Sequence, residues 1–126
     1  MSKWVNLRGM IVSQIENDNN LTREELIQKI EKVINDGSVI KGSEGKIFIS
    51  INLIDNVNND FIKYIINVYD HLRDKYLPNV CAEFYTFVKY LEKQYMCDEL
   101  YCCIDDYQKS VTITNYKYDN INYYIE

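Results

Sequence analysis

The chain is poor in several residue types whose abundance would point to a particular class of protein. Among 126 residues there are one proline, one alanine, one histidine and four glycines, and arginine occurs only at Arg8, Arg23 and Arg73. So little glycine and proline excludes a collagen-like chain or a disordered chain rich in proline and glycine. Scarce arginine together with a net charge of −5 argues against the basic surface that binds phosphates. We therefore predict no nucleic-acid partner and no anionic membrane partner.

Long apolar runs are also missing. No segment approaches the roughly 18 consecutive apolar residues of a membrane span, and Met1–Asn20 lacks the basic start and unbroken apolar centre of a signal peptide. We therefore predict a cytoplasmic protein, in a bacterial cytosol or in that of a host cell. The length, with 47% apolar and 26% charged residues, is typical of a single globular domain over residues 1–126.

The abundant residues are isoleucine, asparagine, tyrosine and lysine, which together make up 54 of the 126 positions. Their codons are rich in A and T, so the composition indicates an AT-rich genome such as that of a low-GC bacterium, a phage or a large DNA virus. Codon usage accounts for the number of tyrosines but not for their distribution, because eleven of the twelve lie from Tyr69 onward.

The cysteines do not follow the pattern of a zinc site. Zinc ligands usually come as two closely spaced pairs, and two such pairs do not occur among Cys81, Cys97, Cys102 and Cys103. His71 is the only histidine. We predict free thiols, buried or half-buried, in a reducing compartment. We also predict no bound metal and no cofactor.

One helix is specified with particular clarity. Thr22 and Glu25 have the spacing of a capping box, in which each side chain bonds the backbone amide of the other residue. An apolar stripe follows at helical spacing, and Gly37 is a typical helix end. The sequence therefore predicts a core-packed helix up to Gly37.

Two further helices are predicted as a hairpin on either side of Leu77-Pro78. Residues 60–76 and 79–96 each carry apolar side chains three and four positions apart, which favours helix. Met1–Ile15 fits either the helical or the strand period, and we favour helix there.

The remaining segments alternate apolar and polar residues, the pattern of half-buried strands. They are Lys46–Asp55, Glu99–Asp105, Ser110–Tyr116 and Asn120–Glu126. The glycines of Gly37–Gly45 precede a strand rather than a helix, which is the wrong order for a phosphate loop, so we predict a flexible connection or a short hairpin. The predicted fold is α+β: an antiparallel sheet of about four strands, three to four helices on one face, and a C-terminal three-stranded meander.

The tyrosines of the acidic C-terminal half suggest a protein-binding surface, because tyrosine offers a large rigid contact area. The predicted contact residues are Tyr101, Asp105, Asp106, Tyr107, Tyr116, Tyr118 and Tyr124. We predict a small non-catalytic module, an inhibitor or immunity-type protein that occludes a partner protein with a basic surface.

Two alternatives remain open on the sequence. Clustered carboxylates at Asp98, Glu99, Asp105 and Asp106 would suit a metal-dependent enzyme. An exposed edge strand near Tyr123 would suit a self-associating module such as a homodimer. His71 carries neighbouring carboxylates but no nucleophile in a recognisable context, so we expect a surface histidine and assign no catalytic residue.

Overall fold

The computed structural model describes residues 4–16, 20–37, 41–42, 45–46, 48–54, 61–94, 96–115 and 122–125, and for 41–42, 45–46, 115 and 122–125 it describes the backbone alone. The strands are β1 (Trp4–Glu16), β2 (Lys41–Gly42), β3 (Gly45–Lys46), β4 (Phe48–Ile54), β5 (Phe61–Arg73), β6 (Glu99–Asp105), β7 (Ser110–Asn115) and β8 (Asn122–Ile125). The helices are α1 (Arg23–Gly37) and α2 (Leu77–Lys93).

Six of the strands form one sheet in the order β4-β5-β1-β6-β7-β8, and every neighbouring pair is antiparallel. Strand β1 lies between β5 and β6, which therefore run parallel to each other and are joined through α2. Strands β1 and β4 are likewise parallel, with β5 between them, and are joined through α1. This connectivity is the split β-α-β, or ferredoxin-like, arrangement. Strands β7 and β8 extend it at one edge, and β2 and β3 form a separate short hairpin.

The core lies between the helices and one face of the sheet. In β1 the odd-numbered residues face the helices, and Val5, Leu7 and Ile11 are fully buried there. The register places them beside buried residues of β5 and β6, as the row Ile66, Ile11 and Leu100 illustrates. The helices complete the same cluster with Leu26, Ile30, Ile34, Val80, Phe84, Phe87, Val88 and Leu91.

Gly9 lies in the middle of β1 because the neighbouring strands leave no room for a side chain. A Cβ atom at this position would lie 2.9 Å from Cγ2 of Val68 and 3.1 Å from Sγ of Cys102. Those two residues belong to β5 and β6, so the glycine leaves the space above this point of β1 to the side chains of both flanking strands.

The number of helices was predicted wrongly. The described residues contain two helices rather than three to four, and the sheet has six strands rather than about four. The predicted helix over residues 60–76 is wrong, since Phe61–Arg73 is the long strand β5. The preference for helix in Met1–Ile15 is also wrong, since Trp4–Glu16 is β1.

Both errors have the same physical origin. In β5, residues such as Phe61, Ile65 and Val68 recur at helical spacing, but the even-numbered residues from Ile62 to Leu72 are also largely apolar and face the core. Isoleucine, valine and tyrosine favour a pleated, half-buried surface. A strand with apolar residues on both faces satisfies a helical and a strand pattern at once, and pairing along the whole of β1 decides in favour of strand.

Other predictions are confirmed. Helix α1 begins at the predicted capping box, with the Glu25 amide donating to Thr22 Oγ1 at 3.2 Å and the Thr22 amide donating to Glu25 Oε1 at 3.3 Å. Residues 79–93 lie in α2, and β4, β6, β7 and β8 fall within the segments predicted as strands. Strands β6, β7 and β8 form the predicted meander.

Candidate functional site

The face of the sheet opposite the helices is the most distinctive surface of the molecule. We call it the open face: the even-numbered residues of β1 with their cross-strand neighbours on β4, β5, β6 and β7. Among the described residues, eight large hydrophobic side chains are exposed, and six of these lie on the open face. The six are Met10, Phe48, Ile54, Phe61, Tyr69 and Tyr101. Such a concentration on one flat surface differs from the scattered exposure that is normal for a monomer.

Two adjacent rows form the centre of the open face. In the first row Tyr69 lies between Phe48 and Arg8 on the neighbouring strands. Phe48 is 63% exposed and Tyr69 is 60% exposed. In the second row Met10 lies beside Tyr101, which is 54% exposed. Aromatic rings and an arginine at the centre of a surface are the composition of protein-binding hot spots.

Arg8 is held on this face by a carboxylate at the end of β6. Its Nη2 lies 3.8 Å from Oδ2 of Asp105, and Asn6 Nδ2 donates a hydrogen bond of 3.1 Å to Oδ1 of the same carboxylate. The Arg8 side chain remains 64% exposed. Asp105, predicted as a partner contact, is thus only partly exposed and positions Arg8.

Two aromatic rings and an arginine lie close together at this end of the open face. The rings of Trp4 and His71 lie 4.4 Å apart between centroids, and the guanidinium of Arg73 lies 5.9 Å from the Trp4 centroid. His71 is exposed, as the sequence predicted, although it belongs to a strand and not to a helix.

The turn between β6 and β7 presents one more aromatic ring. Asp106 Oδ1 accepts hydrogen bonds from the amides of Gln108 and Lys109 at 2.8 and 2.7 Å, and the Asp106 amide donates to the Lys109 carbonyl. Tyr107 lies within this closed turn and is 83% exposed. Asp106 therefore stabilises the turn that presents Tyr107.

The predicted contact residues do not form one cluster. Tyr101 lies on the open face, whereas Tyr107 lies in the turn that follows Asp105. Tyr116 and Tyr118 lie outside the described residues, and for Tyr124 only the backbone pairing with Thr112 is described.

Most of the open face lies outside the predicted contact residues. Helix was predicted for β1 and β5, which gave Arg8, Met10 and Tyr69 no sheet face, and the side of β4 that carries Phe48 was not predicted as a contact surface. The alternation of core-facing residues in β1 and β5 was the signal that could have found them.

The four carboxylates of the enzyme hypothesis are separated in space. Asp98 and Glu99 lie at the start of β6 and Asp105 and Asp106 at its end, about 20 Å apart at the usual rise per residue. Among the residues that the structure describes, no group of three or more His, Cys, Asp or Glu side chains is placed to hold a metal ion.

Burial raises the pKa values of two cysteines and one tyrosine, which keeps these side chains protonated and less nucleophilic. Burial raises the pKa of the Cys102 thiol well above its usual value, and raises that of Cys81 to about 11. Burial also raises the pKa of Tyr64 to about 12, with the neighbouring Ser13 side chain opposing the shift and Asp98 adding to it. Nucleophilic cysteines need a lowered pKa, so Cys81 and Cys102 behave as packing residues.

The comparisons with known proteins supply no function. No protein-family model matches the chain, and no curated protein or solved structure matches it either. Neither of the two helices in the described residues has the length and apolar character needed to cross a membrane.

Proposed function

We propose that this chain is a non-catalytic protein-binding module of the inhibitor or immunity type, acting in a bacterial or host-cell cytosol. It occludes a surface of a partner protein with the open face, and the adjoining Tyr107 turn supplies a peripheral contact. The observation that carries the proposal is that six of the eight exposed large hydrophobic side chains among the described residues lie on that one face.

The chemistry of the face favours a protein partner. Tyr69, Phe48 and Tyr101 lose little rotamer entropy on binding and bury a large area, and the exposed guanidinium of Arg8 adds hydrogen-bond donors. Strand pairing fixes all four side chains on a rigid sheet, which lowers the cost of ordering them. The chain's net charge of −5 would speed encounter with a basic partner surface.

The test is affinity capture from cells of the source organism with wild-type protein and single variants. Phe48→Lys and Tyr69→Lys place a charge at the centre of the open face, and we expect each to lose the partner. Tyr76→Lys is the matched control, because Tyr76 is 56% exposed and directly precedes α2, outside the strands that form the open face. Melting temperatures should stay close to that of the wild type for all three.

Two results would contradict the proposal. One is equal capture of the same partner by all variants. The other is loss of capture after nuclease treatment of the lysate, because exposed aromatic side chains with an arginine also bind single-stranded nucleic acid.

A further inference from the structure

The charge of the open face differs from that of the whole molecule. Among the strand residues described on this face, three basic side chains balance three acidic ones, whereas the chain carries −5. The basic residues are Arg8, Lys63 and Arg73, and the acidic ones are Glu16, Glu99 and Asp105. The described strand residues of the open face therefore carry no excess negative charge that would repel a second acidic molecule.

The two ends of the face also carry opposite charge. Arg8 and Arg73 lie at the end where β1 begins, with Asp105 the acidic residue beside them. Glu16 and Glu99 lie toward the end where β1 finishes, with Lys63 the basic residue there. If a second open face packs against the first with its strands running in the opposite direction, the basic end of each copy lies over the acidic end of the other.

The size of the face suits a dimer. At the usual strand spacing and rise, β4, β5, β1, β6 and β7 present on the order of 700 Å² per copy, close to the roughly 800 Å² per partner of a standard protein interface. Two sheets also pack readily face to face with nearly aligned strands.

We propose that a second copy of this chain occupies the open face, in a twofold dimer whose β1 strands run antiparallel to each other across the interface. This inference rests on the proposal that the open face is a protein-binding surface, and it names one partner of that surface. With the twofold axis near Met10, Arg8 of one copy lies opposite Val12 of the other and next to its Glu99, because Val12 and Glu99 are cross-strand neighbours.

The first experiment is sedimentation velocity over a concentration series from micromolar to millimolar. We expect a species of twice the 15.0 kDa chain mass to appear as concentration rises. Phe48→Lys and Tyr69→Lys should each weaken the dimer roughly tenfold or more in Kd, whereas Tyr76→Lys should leave it unchanged. A monomer at every concentration, or a dimer that the two open-face variants leave intact, would overturn the proposal.

The second experiment tests the antiparallel arrangement by charge reversal. Arg8→Glu alone brings two carboxylates together across the interface, and Glu99→Arg alone brings two guanidinium groups together, so each variant should dimerise poorly. In an equimolar mixture the two variants can form a heterodimer. In that heterodimer residue 8 of each copy lies next to residue 99 of the other with the opposite charge, so the mixture should recover the wild-type dimer fraction. Circular dichroism of each variant checks that it is folded. Failure of the mixture to recover while both variants are folded would rule the arrangement out.

The two proposals can fail independently. Capture of a partner by a protein that stays monomeric would refute the dimer and leave the proposed function standing. Conversely, Tyr69→Lys could abolish the dimer while the protein still captures its partners as the wild type does. That result would support the dimer and refute the proposed function.

Discussion

At the scale of single residues, burial changes the ionisation of the core tyrosine Tyr64. Tyr64 is fully buried where β5 passes β1, beside Ser13 on the neighbouring strand. Burial removes the water that would stabilise a phenolate, and this raises the pKa of Tyr64 to about 12. The tyrosine therefore acts as a neutral core ring with a polar tip, in contrast to the exposed ring of Tyr69 on the same strand.

The raised pKa of Tyr64 predicts a loss of stability at high pH. Above pH 10 the unfolded chain releases the Tyr64 proton while the folded protein keeps it up to about pH 12. The folded state is therefore destabilised progressively between these values, by up to about 3 kcal/mol.

Urea unfolding at pH 8 and pH 11 measures this effect. We expect Tyr64→Phe to lose less stability between the two pH values than the wild type does. Tyr107→Phe removes an exposed phenol and is the control, which should behave as the wild type. An equal loss in Tyr64→Phe and the wild type would show that Tyr64 titrates normally.

At the scale of elements, the helices are fixed at their ends as well as along their buried stripes. Helix α1 begins with the reciprocal bonds of Thr22 and Glu25. Near its other end, Tyr90 of α2 donates a hydrogen bond of 3.1 Å to the Val33 carbonyl. The Tyr90 ring occupies the space that a side chain on Gly37 would need. Gly37 is the last residue of α1, and its lack of a side chain admits the ring that joins the two helices.

Removing the cap of α1 should cost a measurable amount of stability. Thr22→Ala leaves the Glu25 amide without its side-chain acceptor, and we expect a loss of about 1 kcal/mol in the free energy of unfolding. Thr86→Ala is the matched control, since the Thr86 hydroxyl bonds only the Ala82 carbonyl within α2, and its loss should cost less or stabilise the helix. Equal losses in the two variants, measured by denaturant unfolding, would contradict the role of the cap.

At the scale of the whole molecule, β1 organises the fold. It pairs with β5 along all thirteen residues and with β6 over seven, and Val5, Leu7 and Ile11 on its inner face are fully buried. The side chains on its other face run through the middle of the open face. One strand therefore supplies the centre of both the core and the candidate binding surface.

Hydrogen exchange should report this arrangement. We expect backbone amides of β1 between Leu7 and Ile11 to exchange only on global unfolding, because both edges of this stretch are paired. Amides of β4, an edge strand of the sheet, should exchange faster through local opening. Mass spectrometry of peptides from the two strands checks the order, and faster exchange in β1 would contradict the central role of this strand.

The sequence by itself determined the elements whose signals are local. The capping box of α1, the apolar stripe of α2 and the alternating strands from Glu99 onward depend on near neighbours in the chain, and each was predicted correctly. Tyr101 and Tyr107 were also predicted as candidate contacts from their local sequence, and both side chains are exposed. Their roles as contacts stay predictions.

Only the tertiary structure decided that β1 and β5 are strands. Both segments have apolar residues on two faces, so their periodicity is ambiguous, and pairing with each other settles it. The open face needs three pairings: β5 with β1 places Tyr69 beside Arg8, β4 with β5 places Phe48 beside Tyr69, and β6 with β1 places Tyr101 beside Met10. A surface built from strands in three separate parts of the chain, β1, β4 with β5, and β6, has no local signature, which is why the sequence could show its parts but not their assembly.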